Sequence, residues 1–357
     1  MIVKKTCFAC GKQLSAVAFN ASARTPDGLA RTCRACTNAR RRQRERSPDR
    51  RPAAQARSTI LATALRKGDV EGVQELVRGG TTPTWGWVCE TMREGHLNLA
   101  EALLEAGVER NVFTMAATGD AKGLTRRLGR MRADARLTAS MEPASARVTP
   151  LHVGCASDWK PHGEGRMAIQ VRVAEILAAH GADLHAIATY RGIGEATPLF
   201  CACWSSENLA LVLWLLDHGA RADVSHLAVA LGHLQRHGRA AYDIAEALLE
   251  RGVPVDGQGR GERTPLQAFA HQGNHGTVAW LLAHGAEVNA RAHGGRTAAH
   301  FAAERNIGPK TLSLLVENGA DLSARDDDGL TPLEIARRNE KPRLVEWIAT
   351  QIRAKPR

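Results

Sequence analysis

Apolar side chains recur along this chain in short runs, each stopped by a glycine at a nearly constant step. Leu215-Leu216, Leu248-Leu249, Leu281-Leu282 and Leu314-Leu315 each precede a glycine (Gly219, Gly252, Gly285, Gly319), and a small apolar residue follows it. Most runs are preceded by a threonine, usually with proline behind it: Thr149-Pro150-Leu151-His152, Thr197-Pro198-Leu199-Phe200, Thr264-Pro265-Leu266, Thr297-Ala298-Ala299-His300 and Thr331-Pro332-Leu333. The last three threonines lie 33 and 34 residues apart. Threonine caps a helix N-terminus, and proline at the first helical position loses no needed N–H. Glycine after the second apolar run supplies a left-handed stop. Each period therefore predicts a turn, a helix, a second turn and a second helix. The paired leucines face the neighbouring unit, because one such unit cannot bury its apolar face alone.

Spacing and wording together resemble the ankyrin repeat family. The resemblance is specific from residue 149 onward. It weakens upstream, where 61–79, 88–107 and 115–128 read as helix pairs without Thr-Pro, with inter-helix turns at Gly68-Asp69, Gly95-His96 and Gly119-Asp120. The fold class expected is mainly α, an ankyrin-repeat solenoid of about nine helix pairs over 59–352, preceded by a small four-cysteine zinc module and closed by a basic tail, 353–357. The resemblance implies that the solenoid binds a protein partner and performs no chemistry of its own.

Charge divides the chain. Residues 1–58 hold 14 Lys and Arg against 3 Asp and Glu, so the whole formal excess of +11 lies in this segment and the remainder is neutral. Such asymmetry suggests an anionic partner for the basic end. The N-terminus lacks the apolar core of a secretory signal, and the longest apolar run, 209–216, is far too short to span a bilayer. The expectation is a cytoplasmic chain without a membrane partner.

Four of the eight cysteines form two Cys-x2-Cys pairs, Cys7 with Cys10 and Cys33 with Cys36. In a short intracellular segment this spacing reads as a tetrahedral structural Zn²⁺ site; disulfides are the alternative, disfavoured in a reducing compartment. Gly11 permits a tight turn behind Cys10, Pro26-Asp27-Gly28 marks a turn, and Thr32 to Arg40 reads as a helix start carrying the second pair. The segment resembles the zinc-binding part of recombination endonuclease VII-type proteins, on Cys7-Phe8-Ala9-Cys10-Gly11, Asp27-Gly28-Leu29 and Cys33-Arg34-Ala35-Cys36 with Asn38 behind them. That resemblance implies a treble-clef-like module and zinc ligation by the four cysteines. It does not extend to catalysis, since nucleases of that group need a histidine beside the zinc core and residues 1–58 contain none.

Arg34, Arg40, Arg41, Arg42, Arg44 and Arg46 surround and follow the second pair. On a helix they point nearly all round, which suits phosphate contact with DNA or RNA rather than one groove-fitting stripe. The module is bounded at 1–46, and Pro48 and Pro52 mark a basic linker over 47–58; a solvated linker is the plain alternative for the arginines.

Within the repeats, His152 and His300 occupy the fourth position of the Thr-Pro-Leu-His wording, where histidine joins neighbouring repeats by hydrogen bonds to backbone. His233 and His237 share a helical face without a third ligand. Cys89, Cys155, Cys201 and Cys203 read as small buried hydrophobes, and Trp214 and Trp280 as packing residues. Two insertions, around 157–166 and 232–240, interrupt the period between the helices of their repeats. They carry Trp159, Lys160, Arg166, Arg236 and Arg239, and Trp204 lies between them. As Trp and Arg often dominate binding surfaces, these six are the candidate partner-binding residues; tolerant loops explain the same positions.

Taken together, the sequence reads as a non-enzymatic adaptor, a protein-binding solenoid with a zinc-stapled basic module that contacts nucleic acid. A pure scaffold whose zinc module self-associates is the rival reading, and a nuclease-complex subunit without its own catalytic residues is a third. The pattern sets no oligomeric state.

Overall fold

The threonines singled out above open helices by a reciprocal bond. Thr264 N–H donates to Gln267 Oε1 at 2.8 Å, while Gln267 N–H donates back to Thr264 Oγ1 at 3.3 Å. Thr331 and Glu334 form the same box at 2.6 and 3.3 Å. At Thr149 and Thr297 a histidine ring takes the place of the carboxamide. Two orphan N–H groups of a helix start are thereby satisfied within one turn.

The structure is a computed structural model. It describes residues 4–6, 13–15, 19–21, 29–33 and 60–354, apart from 142–145, 159–163, 191–192, 206–207, 233–238, 260–261 and 307. The chain divides into two compact units, Met1–Ala64 and Leu65–Arg357.

In the first unit, strands β1 (Lys4–Thr6) and β2 (Gln13–Ser15) pair antiparallel, Lys5 opposite Leu14. Strands β3 (Phe19–Ala21) and β4 (Leu29–Cys33) form a second hairpin with Phe19 opposite Cys33. Cys33 therefore ends a strand rather than opening a helix, because residues 29–33 find backbone partners in β3. Cys7, Cys10, Cys36 and the six arginines from Arg34 to Arg46 lie outside the described residues, as does the linker 47–58.

Among the described residues, nine helix pairs follow. They are α1 (60–67) and α2 (Val70–Arg78); α3 (Trp85–Arg93) and α4 (Leu97–Glu105); α5 (Val112–Ala117) and α6 (Ala121–Arg130). Next come α7 (Pro150–Ala156) and α8 (Glu164–Ala179); α9 (Pro198–Ser205) and α10 (Leu209–Asp217); α11 (Val224–Gly232) and α12 (Arg239–Glu250). The last three are α13 (Pro265–Gln272) and α14 (His275–Ala283); α15 (Ala298–Arg305) and α16 (Lys310–Glu317); α17 (Pro332–Arg338) and α18 (Pro342–Ala354). First helices pack on first helices, α3 on α5 through to α15 on α17, and second helices form the other layer, α8 on α10 and α14 on α16 among them. This is the solenoid that the period implies.

The paired leucines are not equivalent. In each pair it is the residue four before the glycine that is fully buried: Leu177, Leu215, Leu248, Leu281 and Leu315 are all 0% exposed. Its neighbour toward the glycine is only half-buried, as at Leu216, Leu249 and Leu282. The stop works as expected, with Gly285 at φ +84° and Gly319 at φ +89°, and the N–H after each glycine returns to the carbonyl of the buried leucine (Ala286 to Leu281, Ala320 to Leu315).

One feature has no forerunner in the period. Strands β5 (Ala139–Met141), β6 (Ala146–Val148), β7 (Ala188–Tyr190) and β8 (Ile193–Ala196) form a four-stranded antiparallel sheet in that order. Two hairpins from successive helix pairs join through Arg147 opposite Thr189.

The leucine asymmetry yields a mutational expectation. Leu281→Ala removes a fully enclosed side chain and should cost about 2–5 kcal/mol, whereas Leu282→Ala should cost about half of that or less. Urea unfolding followed by circular dichroism reads both; equal losses would contradict the assignment of the buried layer.

Candidate functional site

The inner face of the stack is built from the starts of the first helices and the loops that lead into them. Its polar groups are committed to neighbouring pairs. His152, fully buried, accepts the Thr149 N–H at Nδ1 (3.3 Å) and donates from Nε2 to the Ala196 carbonyl of the next pair (3.0 Å). His300 repeats this with the Thr297 N–H (3.1 Å) and the Leu330 carbonyl (3.1 Å). Gln267 does the same work without a ring, donating to the Ala290 carbonyl at 2.8 Å. Both histidines thus have the joining role read from their positions. Burial pushes the His152 pKa down to about 4, since a second ring proton would face the Thr149 N–H; His300 is shifted downward for the same reason.

Beside these bonds a groove of about 960 Å³ runs along the inner face at α9, α11 and α13, and its lining includes Ile187, Phe200, Asp223, His226 and Arg263. Ile187 is 67% exposed on the loop before β7, and Phe200 meets the His226 ring edge-on at 6.0 Å. The His226 ring lies 2.9 Å from the Asp223 carboxylate, and this hydrogen bond holds the acid well below the usual carboxylate range. The groove thus offers apolar side chains with separated charges at its edges.

The candidate residues taken from the insertions do not converge in what is described. Trp159, Lys160 and Arg236 lie outside the described residues, as do His233 and His237. Arg166 stands in the first turn of α8, so the insertion is shorter than the sequence suggested and its far end is helical. Trp204 closes α9 with its ring 5.8 Å from Phe200. Arg239 opens α12, almost fully exposed, 3.7 Å from Asp243.

The root of the first insertion is firmly built. Buried Gln170 on α8 donates to the carbonyls of Gly154 and Ser157 (2.9 and 2.8 Å), and buried Asn208 donates to Gln170 Oε1 (3.1 Å). The Gln170 amide thereby closes the C-terminus of α7, whose carbonyls would otherwise be buried without donors, while Asn208 holds that amide and caps α10 by accepting the Leu211 N–H. Gln170 carried no sequence signal; Asn208 stands directly before an apolar run, where asparagine signals a helix start.

Nucleophilic chemistry finds no support in the thiols. Cys89, Cys155, Cys201 and Cys203 are buried, and burial pushes Cys201 up to about 12 and raises the other three well above the usual thiol range. A thiol in that state is not a nucleophile near neutral pH. Among the described residues no group of three His, Cys, Asp or Glu side chains is placed to hold a metal ion, and no helix is long and apolar enough to cross a membrane. Trp214 stacks on His218 and Trp280 on His284, with Tyr242 stacked on Trp280, so both tryptophans pack on second helices.

Residues 226–326 match the family model for ankyrin repeats in three copies, so the helix pairs of this stretch are ankyrin repeats. The B-cell lymphoma 3 protein homolog of Mus musculus is 37% identical over 91 residues, 25% of this chain and 20% of that protein. The NF-kappa-B inhibitor delta of Mus musculus is 40% identical over 99 residues, 27% of this chain and 30% of that protein. The match thus spans a fifth to under a third of the length of these relatives. The human ASB11 ankyrin repeat domain aligns with a TM-score of 0.44 and 24% identity, over 78% of this chain and all of that one.

The buried histidines make stability depend on pH. Folded His152 stays neutral down to about pH 4, whereas an unfolded imidazole takes up its proton near 6.5. Stability is therefore full above about pH 6.5 and declines as pH falls toward 4, on the order of 1 kcal/mol per pH unit for this residue. His152→Gln, which copies Gln267, should flatten the decline in melting temperature between pH 7 and 4.5. An unchanged acid slope in that variant would remove His152 as its source.

Proposed function

We propose that this chain is a non-enzymatic adaptor whose ankyrin repeats hold a protein partner and whose basic N-terminal module contacts nucleic acid. The observation that carries the reading is the separation of charge: all of the +11 excess lies in residues 1–58, and the rest of the chain is neutral. A neutral stack with an apolar, charge-edged groove suits a protein. A basic arm with no interleaved aromatic residue suits phosphate contact without base stacking. That ankyrin repeats of a relative belong to a protein named as an inhibitor of another, NF-kappa-B, agrees with partner binding through the stack.

In this reading Cys7, Cys10, Cys33 and Cys36 hold one structural Zn²⁺. The donor set fits: four thiolates in two Cys-x2-Cys pairs suit tetrahedral zinc. A module this small has little core of its own, so the ion supplies much of its folding free energy. Its chemistry is that of a staple, with no open coordination position required.

Two expectations test the halves of the module separately. Elemental analysis of protein produced without added metal should find one zinc per chain, and Cys33→Ser should abolish it while leaving the helical circular dichroism of the repeats intact; absence of zinc from the unaltered chain rejects the staple. With a labelled duplex and a labelled single-stranded RNA, affinity should fall with salt at a logarithmic slope of about −4 to −5, as for four to six neutralised phosphates. Removal of 1–58 should abolish binding, and retained affinity would return the basic segment to a linker and favour the pure scaffold.

A further inference from the structure

Two arginines stand at equivalent places in successive repeats, each immediately before the capping threonine: Arg263 before Thr264 and Arg296 before Thr297. The same place holds Val148, Ala196 and Leu330 in the other threonine-capped repeats. Both guanidinium groups lie over one aromatic ring, Arg263 at 4.4 Å and Arg296 at 4.6 Å from the centroid of Phe301 on α15. Phe301 is 2% exposed, so the ring is a fixed platform that holds two like charges close together.

Their charge is only partly answered. Arg296 reaches Glu304 at 3.2 Å, yet its Nε is buried and has no hydrogen-bond partner. Arg263 makes no ion pair among the described residues, and its side chain lines the 960 Å³ groove described above. The local field is net positive: Arg263, Arg305 and Arg296 help burial to lower the pKa of His271, against the single opposing carboxylate of Glu304. A guanidinium left half-buried with free donors is well matched to a planar oxyanion, which it meets by two parallel hydrogen bonds.

We propose that Arg263, which lines the groove, and Arg296, which shares its seat on Phe301, together read an aspartate or glutamate side chain in an extended segment of the protein partner. This rests on the reading of the stack as a protein-binding surface and adds the chemistry of what it selects. A carboxylate is favoured over a run of phosphates because the same groove carries the carboxylates of Glu195 and Asp223, which would repel a polyanion laid along it. An isolated acid flanked by apolar or neutral residues satisfies both ends. The arginines belong to the most regular repeats, so the insertions need not contribute to selection.

The test is selection of displayed random 12-residue peptides on the full-length chain, followed by fluorescence anisotropy with the enriched peptides. Enriched sequences should share an Asp or Glu at a fixed position. Changing that residue to Asn or Gln in the peptide should weaken binding to the unaltered protein about tenfold or more, a measurement that no misfolded variant can confuse. Arg263→Gln should weaken the acidic peptide by a similar factor and barely affect its neutral counterpart, and Arg263→Lys should restore part of the loss, since charge returns without the fork. Enriched peptides without a common acid, or acidic peptides indifferent to both exchanges, would overturn the assignment and leave partner binding by the stack standing. A selection that enriches no peptide at all would remove the groove as a peptide site and the proposal with it.

Discussion

No helix pair in this protein can cover its own apolar face. The leucine four places before each stop glycine is wholly enclosed, and the enclosing atoms come from the adjoining pair as much as from its own. Polar groups obey the same constraint. The ring of His152 finds its acceptor 44 residues away at Ala196, and His300 finds its own 30 residues away at Leu330. At His152, Gln267 and His300 the joint is thus a buried apolar contact sealed by one hydrogen bond to a carbonyl beyond its own pair. Loss of a neighbour strands both, which is why such a stack stands or falls by nearest-neighbour terms. It also explains why these histidines are unavailable for chemistry, since both ring nitrogens are already spoken for.

What the sequence disclosed and what it concealed follow from the same source. Local rules were legible: threonine caps, proline at the first helical turn, glycine at positive φ and the joining histidines all act within a few residues or at a fixed register. The pairing of leucines was legible as a pattern but not as a burial order, because helical phase relative to the neighbour decides which of two adjacent leucines points inward. The sheet formed by β5 to β8 was hidden. Its strands are three or four residues long, so the alternation in Ala139-Ser140-Met141 or Ala188-Thr189-Tyr190 is too short to betray a strand; their order comes from pairing across successive repeats. Cys-x2-Cys with following arginines suits a helix start at Cys33, whereas pairing with Phe19 draws the residue into β4. The cluster on Phe301 was invisible for a different reason, as it brings Arg263 from one repeat onto a ring of the next.

Irregularity in the period also serves the fold. Insertions draw the eye because they break a period, and Trp159 with the arginines around 236–239 has the composition of a hot spot. The foot of the first insertion is tied down by Gln170, whose amide donates to the carbonyls of Gly154 and Ser157 and is itself held by Asn208. A repeat that departs from the period can do so to repair its own helix ends.

The position before the capping threonine shows how a regular repeat acquires a function instead. At Val148 and Ala196 this side chain lies within the sheet and is 0% exposed, so only a small or apolar residue fits there. Among the described residues the sheet ends at β8. Beyond it the same position is uncovered: Arg263, Arg296 and Leu330 are all partly exposed, and Arg263 lines the groove. The packing constraint that fixes the residue type in one half of the stack is lifted in the other, while the backbone geometry is unchanged because the cap still sets it. A long charged side chain placed there costs the scaffold nothing in buried volume and gains a rigid base when a phenylalanine lies beneath it. The extended loops thus do more than lengthen two repeats: by covering this position early in the stack and leaving it bare later, they divide one periodic surface into a part that packs and a part that is free to select.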